Sequence, residues 1–283
     1  KHPDVRIISF TGSTTTGIKV YTEAAALGKK VTLEMGGKNA IIVMDDANLD
    51  LAVDAITWSA YGTTGQRCTA TSRLIVQSGI KPELIERLIE KAKTIRMGNG
   101  LASDVDMGPL VNQKALDKVS GYMDIARQDG VDIVVGGKRA EIERGFFFEP
   151  TLFNGVKPGM RVEQEEIFGP VLSVVEVESL EEAIQVNNDT KYGLSSSIFT
   201  ENVNAAFRAI RDLTTGIVYI NHGTTGAEIQ FPFGGTRGTG NGMREAGQAA
   251  LTSFTEWKSV YVDYSGRLQR AQIDTEAILD DES

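Results

Sequence analysis

Short apolar runs alternate along this chain with stretches in which apolar residues recur every three to four positions. Val5–Phe10, Lys30–Leu33 and Ala40–Met44 read as strands, being too short for helices and bounded by glycine or polar residues. The alanine-rich stretch Ile18–Leu27, ending at Gly28, reads as a helix between the first two. Leu49, Ala52, Val53 and Ile56 follow a helical period behind the candidate caps Asp46 and Asn48. A strand over Arg73–Gln77 precedes a helix opened by Pro82 and stopped by Gly98. Downstream lie a helix over Gln113–Gln128, a strand over Asp132–Val135 and a Gly136-Gly137 turn. Ser179 and Glu182 form a capping box for a helix over Leu180–Asn187. The strand Ser195–Thr200, a helix over Val203–Leu213 and the strand Gly216–Asn221 continue the alternation, and a helix is expected near Glu245–Phe254. Ser259–Tyr264 reads as an edge strand, with Val260, Val262 and Tyr264 alternating against Tyr261 and Asp263. The pattern predicts an α/β fold with helices covering a largely parallel sheet.

Composition narrows the function. At 283 residues, with 41% hydrophobic and 24% charged residues, the chain can bury a substantial core and has the make-up of a soluble globular protein. A net charge of −9 argues against nucleic-acid and anionic-membrane partners. No signal-peptide pattern or membrane-length apolar run is present, and a cytoplasmic location is expected. The segment Ala271–Ser283 holds five acids and no base and reads as a solvated tail.

The single cysteine excludes an intrachain disulfide and directs attention to Tyr61-Gly-Thr-Thr-Gly-Gln-Arg-Cys-Thr-Ala70. Taken alone, Cys68 is either a small buried hydrophobe or a nucleophile. Glu34, in Leu33-Glu-Met-Gly-Gly-Lys38, is either a solvated strand end or a base. The turn Thr11-Gly-Ser-Thr-Thr-Thr-Gly17 lies between a strand and a helix, where N–H groups and the helix dipole favour a pyrophosphate. Any tight βα turn could also produce it, and it lacks the Gly-x-Gly-x-x-Gly spacing of Rossmann proteins. A Cys–His hydrolase fits poorly, because the two histidines are His2, near the terminus, and His222, in a glycine- and threonine-rich loop with no nucleophile motif. No residue is assigned to a metal.

Six stretches occur in the order found in one family: Phe10-Thr-Gly-Ser13, Leu33-Glu-Met-Gly-Gly-Lys38, Gly65-Gln-Arg-Cys68, Glu165-Glu-Ile-Phe-Gly-Pro170, Tyr192-Gly-Leu194 and Pro232-Phe-Gly-Gly235. In these the chain resembles the aldehyde dehydrogenases over almost its whole length. The resemblance implies an oxidoreductase converting an aldehyde to a carboxylic acid with NAD, or with NADP. Cys68 would attack the carbonyl to give a hemithioacetal, which yields a hydride to the nicotinamide and leaves a thioester. Glu34 would activate the hydrolytic water. By the same resemblance Gly12, Ser13 and Gly17 contact the cofactor, Glu166 accepts hydrogen bonds from ribose hydroxyls, and Phe168 packs near the nicotinamide. A CoA-acylating mechanism is disfavoured, since such relatives generally lack the glutamate. The loop Asn221–Phe231 should select the aldehyde, whose identity stays open; Arg237 receives no role.

The implied fold is an aldehyde dehydrogenase-like parallel-sheet catalytic domain with a truncated Rossmann-type cofactor domain. Residues 1–33 would be a remnant of the NAD(P)-binding domain, 34–235 the catalytic domain, 236–257 a return to the cofactor domain, and 258–283 an oligomerisation strand with the acidic tail. The family's chains extend further upstream, where the lysine for the adenine ribose and the asparagine of the oxyanion hole lie. An N-terminal half is therefore expected to be missing, by truncation, proteolysis or splitting of the enzyme between two chains. A homodimer or homotetramer is expected from the C-terminal strand. Two alternatives remain: an inactive or esterase-like fragment, and a non-enzymatic structural use of the fold.

Overall fold

In the computed structural model, which describes residues 1–267, two sheets share the chain. Strand β1 (Ile7–Thr11) leads into helix α1 (Thr14–Ala25), and strand β2 (Lys30–Glu34) returns parallel to β1 as a two-stranded sheet. Ser13 caps α1 by accepting from the Thr16 N–H, and Gly28, at φ +65°, takes the left-handed turn into β2. The chain then crosses directly to β3 (Asn39–Val43), the first strand of a seven-stranded sheet.

That sheet is completed by β4 (Thr71–Gln77), β5 (Asp132–Val135), β6 (Thr151–Val156), β7 (Val171–Val177), β8 (Ser195–Phe199) and β9 (Ile217–Ile220). The strand order is β5-β6-β7-β4-β3-β8-β9, parallel throughout except where β5 meets β6. Helices α2 (Leu49–Tyr61) and α3 (Lys81–Lys93) cover one face. The opposite face carries α4 (Gln113–Gln128), α6 (Leu180–Asn188) and α7 (Val203–Asp212), with the short α5 (Arg161–Gln164) beside α4. Period-two alternation decides which strand residue meets which layer. On β3, Ile41 and Val43 pack with Ala52 and Ile56 of α2, whereas Ala40 and Ile42 join the core of α4, α6 and α7. Both faces of the central strands are therefore apolar, as a doubly covered parallel sheet requires.

One polar group crosses this core. Arg73 on β4 is 1% exposed and pairs with the equally buried Glu163 of α5 at 2.8 Å. Its remaining N–H groups donate to the carbonyls of Lys38 at 2.9 Å, Val186 at 2.9 Å and Asn187 at 3.0 Å. It thereby fixes the entry to β3 and the C-terminal turn of α6.

The structure departs from the sequence reading in three places. Strands β6 and β7 were not anticipated, although β7 lies at the centre of the large sheet. The helix expected near Glu245–Phe254 is α8, Ala249–Phe254, because Ala246 and Gly247 both take positive φ and interrupt it. Ser259–Tyr264 forms no strand: Tyr261 and Tyr264 are 94% and 96% exposed, and among the described residues no strand is hydrogen-bonded to the segment. A strand exists through its ladder, and alternation alone supplies no partner. The acidic segment Ala271–Ser283 lies outside the described residues.

Replacing Arg73 by Met should strand the Glu163 carboxylate and cost about 3–5 kcal/mol, read as a fall in urea unfolding free energy. Adding Glu163→Leu to the same chain should recover much of that loss.

Candidate functional site

Four of the six sequence stretches end at, or within three residues of, the start of a strand of the large sheet. Lys38 precedes β3, Cys68 lies three residues before β4, Pro170 precedes β7 and Leu194 precedes β8. Because these strands are parallel and adjacent, their entry segments gather along one edge of the sheet. The other two come from elsewhere: Gly12 and Ser13 follow β1, and Pro232–Gly235 follows the loop after β9.

Two glycines allow the close approach. A Cβ on Gly36 would fall 2.4 Å from a carboxylate oxygen of Glu166, and one on Gly37 would fall 2.5 Å from the Cys68 carbonyl oxygen. Glu166 turns its carboxylate onto this ribbon and accepts the Gly37 N–H at 2.9 Å, while Lys118 of α4 donates to its main-chain carbonyl at 2.8 Å. The cysteine loop is clamped too. Gln66 donates to the Pro109 carbonyl at 3.2 Å and accepts from the Val111 N–H at 2.9 Å, and Thr64 donates to the Gly108 carbonyl at 3.0 Å. Gly65, at φ +63°, sits so close to Gly169 that a Cβ would meet its carbonyl oxygen at 2.0 Å. Thr224, from the loop after β9, donates to the Thr69 carbonyl at 2.7 Å beneath the cysteine.

The electrostatics are those of two acids that keep their protons. Burial, reinforced by Glu245 and opposed by Arg244, pushes the Glu34 carboxyl up to about 8. Glu34 is 3% exposed, and one of its oxygens has no hydrogen-bond partner. Its other oxygen lies 2.7 Å from where a Cβ on Gly234 would stand, so the Pro232–Gly235 stretch packs directly on it. The Cys68 thiol is partly exposed; burial first, and the Glu34 charge second, raise its pKa. Lys38 is fully buried with an unpartnered Nζ, and desolvation together with Arg73 brings it down to about 7.

Gly12 and Ser13 form an exposed turn at the start of α1. Gly17 lies one turn further on, buried against Met35, whose sulfur a Cβ would meet at 2.4 Å; helix packing accounts for that glycine. Phe168 is 40% exposed and holds φ +60°, a strained value for an aromatic residue. His222 donates from Nδ1 to the Gly223 carbonyl at 2.8 Å and stacks on Tyr219. A cavity of about 450 Å³ opens between β9 and its following loop, lined by Tyr219, His222, Glu228, Phe231 and Phe233. A larger cleft of about 820 Å³ lies away from Cys68, between the N-terminal residues and Phe254–Glu256.

The six stretches that carry the lone thiol and the proton-holding carboxyl lie within a region matched by one family model. That model, the aldehyde dehydrogenase family, matches residues 1–260. The chain belongs to that family. It is 43% identical over 265 residues to the α-ketoglutaric semialdehyde dehydrogenase of Bacillus subtilis, covering 93% of this chain and 54% of that protein. It is 42% identical over 266 residues to the betaine aldehyde dehydrogenase of Mesorhizobium japonicum, with 93% and 54% covered. Among solved structures, an NAD-dependent aldehyde dehydrogenase from Sinorhizobium meliloti superposes with a TM-score of 0.92 at 36% identity, covering 96% of this chain and 54% of that one. Betaine aldehyde dehydrogenase from Staphylococcus aureus in complex with NAD+ gives 0.87 at 40% identity, covering 89% and 50%. The chain therefore spans about half the length of the family members it matches.

Sequence reasoning passed over Asn39, Arg244 and Glu245, which carry no motif of their own. Arg244 donates to the carbonyls of Gly235 and Met243 at 3.0 and 3.1 Å and places its charge beside Glu34. Arg237, left without a role, holds the Tyr192 carbonyl at 2.7 Å. Among the described residues, no helix is long and apolar enough to cross a membrane.

Burial of Glu34 carries a stability consequence. In the fold it keeps its proton up to about 8, against an ordinary value of 4.5. Between those limits the folded state binds more protons than the unfolded one, so stability falls as pH rises through the window and levels off above it. Glu34→Gln removes this slope. Its gain in urea midpoint should be larger near about pH 9 than near about pH 5.

Proposed function

We propose that this chain carries the acyl-transfer centre of an NAD(P)-dependent aldehyde dehydrogenase, with Cys68 as nucleophile and Glu34 as general base. The observation that carries this reading is the buried Glu34 carboxyl, pushed up to about 8, whose charge is felt at the Cys68 thiol. A carboxyl that titrates near neutrality is ionised in part of the population, and in that form it can take a proton from a thiol or a water and later return it. Cys68 attacks the aldehyde carbon, and the resulting hemithioacetal becomes a thioester on loss of hydride. Glu34 then deprotonates a water that attacks the thioester carbon, releasing the acid and restoring the thiol.

The residues fit a dinucleotide. Gly12 and Ser13 open α1, a helix of 12 residues, on an exposed turn. Gly12 and Ser13 would hold the pyrophosphate end, with Gly17 letting α1 pack close behind them, Glu166 the ribose hydroxyls and Phe168 the nicotinamide side. When bound, the nicotinamide supplies the hydride acceptor. The two-stranded sheet and the segment 236–257 belong, on this reading, to the cofactor domain. Asn241 bonds both the Leu33 N–H at 3.2 Å and the Val31 carbonyl at 2.8 Å, consistent with that assignment. The oxyanion-hole asparagine and the adenine-ribose lysine would come from the portion of the relatives this chain does not span. NAD is the expected cofactor, with NADP open.

Substrate choice falls to the loop Asn221–Phe231 and its cavity, and the substrate is a small aldehyde. The unpaired edge of β9 and the exposed alternation at Val260–Tyr264 support a homodimer or homotetramer. A second reading, an esterase-like activity of this chain alone, is favoured because both Cys68 and Glu34 lie within it.

With the complementary N-terminal portion supplied, aldehyde-dependent NAD(P)H formation should appear and vanish in Cys68→Ala. Glu34→Gln should retain a first burst of NAD(P)H but slow the steady state by on the order of 10²–10⁴. Turnover unaffected by Cys68→Ala would defeat the assignment. Slow ester hydrolysis by the chain alone, lost on the same substitution, would favour the second reading.

A further inference from the structure

The loop after β9 has a buried root and an exposed tip. Residues 223–225 are buried, and 226–231 are exposed. Gly226 joins the two parts at φ +105°, a conformation that side chains disfavour. The tip borders the cavity of about 450 Å³ beside β9, and it is tied at its far end, where the Gly247 N–H donates to the Ile229 carbonyl at 2.8 Å.

The root is held elsewhere. On one side it presses on α2: a Cβ on Gly223 would fall 2.2 Å from the Ser59 hydroxyl oxygen, and Thr225 Oγ1 lies 3.5 Å from that oxygen. On the other side Thr224, 0% exposed, turns its hydroxyl to the cysteine loop. Its Oγ1 donates to the Thr69 carbonyl at 2.7 Å and lies 2.7 Å from Thr71 Oγ1. A hydroxyl carries one proton. Thr224 gives its proton to the carbonyl, so Thr71 is the donor in the second bond. Among the described residues, no other residue of 221–231 is hydrogen-bonded to the segment 61–70. Because Thr69 follows Cys68 directly, this hydroxyl is the link between the loop and the thiol.

We propose that Thr224 is a positioning residue whose hydroxyl fixes the loop 221–231 against the cysteine loop, and so limits the size of the compound that reaches Cys68. The inference rests on the reading of Cys68 as nucleophile and of that loop as its selector. Without the hydroxyl, the Thr69 carbonyl and the Thr71 hydroxyl each lose a buried partner. Water entering between the root and the cysteine loop satisfies them, and that separation widens the approach to the thiol.

The test compares alkylation by iodoacetamide and by the bulkier N-phenyl iodoacetamide in the full chain, where Cys68 is the sole cysteine. Thr224→Val keeps the shape and removes the hydroxyl. It should raise the bulky-to-small rate ratio about fivefold, on the scale of one net hydrogen bond, with the iodoacetamide rate unchanged. Thr224→Ser keeps the hydroxyl and should retain the native ratio. Ser59→Ala releases the root on its α2 side without touching Thr69, and it should leave the ratio in place. A general loosening of the fold raises both rates together and does not produce this pattern. Thr224→Ala is read in the same way if the valine variant does not fold. An unmoved ratio in the folded valine or alanine variant, an equal shift in Ser59→Ala, or a shifted ratio in Thr224→Ser overturns the proposal. None of these outcomes depends on aldehyde turnover, so failure here is separable from failure of the dehydrogenase reading, which Cys68→Ala tests on its own.

Discussion

The site depends on strand direction. In the small sheet β1 and β2 run parallel and deliver Gly12 and Glu34 at their C-terminal ends. In the large sheet β3, β4, β7 and β8 run parallel and receive Lys38, Cys68, Pro170 and Leu194 at their N-terminal ends. The chain passes from one sheet to the other in the few residues between Glu34 and Asn39. A passage that short ties the position of Glu34 to the entry of β3. It also explains the two glycines: the ribbon runs between a carboxylate and a carbonyl, whose oxygens lie 2.4 and 2.5 Å from where a Cβ would have to go.

Burying charge is what this arrangement costs. Glu34, Lys38, Arg73 and Glu163 are each 3% exposed or less. Arg73 and Glu163 compensate one another and use nearly every remaining donor on backbone carbonyls, which is the condition under which a buried pair is tolerated. Glu34 has no such partner. Arg244 lowers its pKa less than burial and Glu245 raise it, and the carboxyl responds by keeping its proton. The contrast separates structural from chemical use of buried charge: the satisfied pair builds the core, and the unsatisfied acid is the group able to exchange a proton.

How much of this was legible in the sequence follows from what each signal encodes. Helix α4 matches its expected bounds, Gln113–Gln128, because its apolar residues recur at helical spacing and Asn112 caps it by accepting the Ala115 N–H. Strands β6 and β7 gave no comparable cue. In Val171–Val177 every residue but Glu176 is buried, so no alternation marks its faces. The opposite failure occurs at Ser259–Tyr264, where alternation is clear and no partner strand exists among the described residues. Cys68 and Glu34 were visible through their motifs. Asn39 was not, since its importance comes from two carbonyls about thirty residues away, a relation that only the folded ladder creates.

The same geometry explains why a weakly acidic thiol can serve here. A thiolate permanently formed beside Glu34 and Glu166 would face two negative groups, and the fields of both raise the thiol pKa. With the proton retained on sulfur and Glu34 also protonated near neutrality, the resting site carries less uncompensated charge, which suits a half-buried edge of the sheet. Ionising Glu34 makes the Cys68 thiol harder to ionise, so the second proton leaves the pair with more difficulty than the first. Backbone N–H groups then become the available stabilisers of the sulfur anion, because they add no charge that the carboxylates would bind. A lysine or histidine in that position would pair with Glu34 and remove the base. Asn39 holds the Cys68 carbonyl at 2.7 Å, which ties the cysteine loop to the register of β3 against β4.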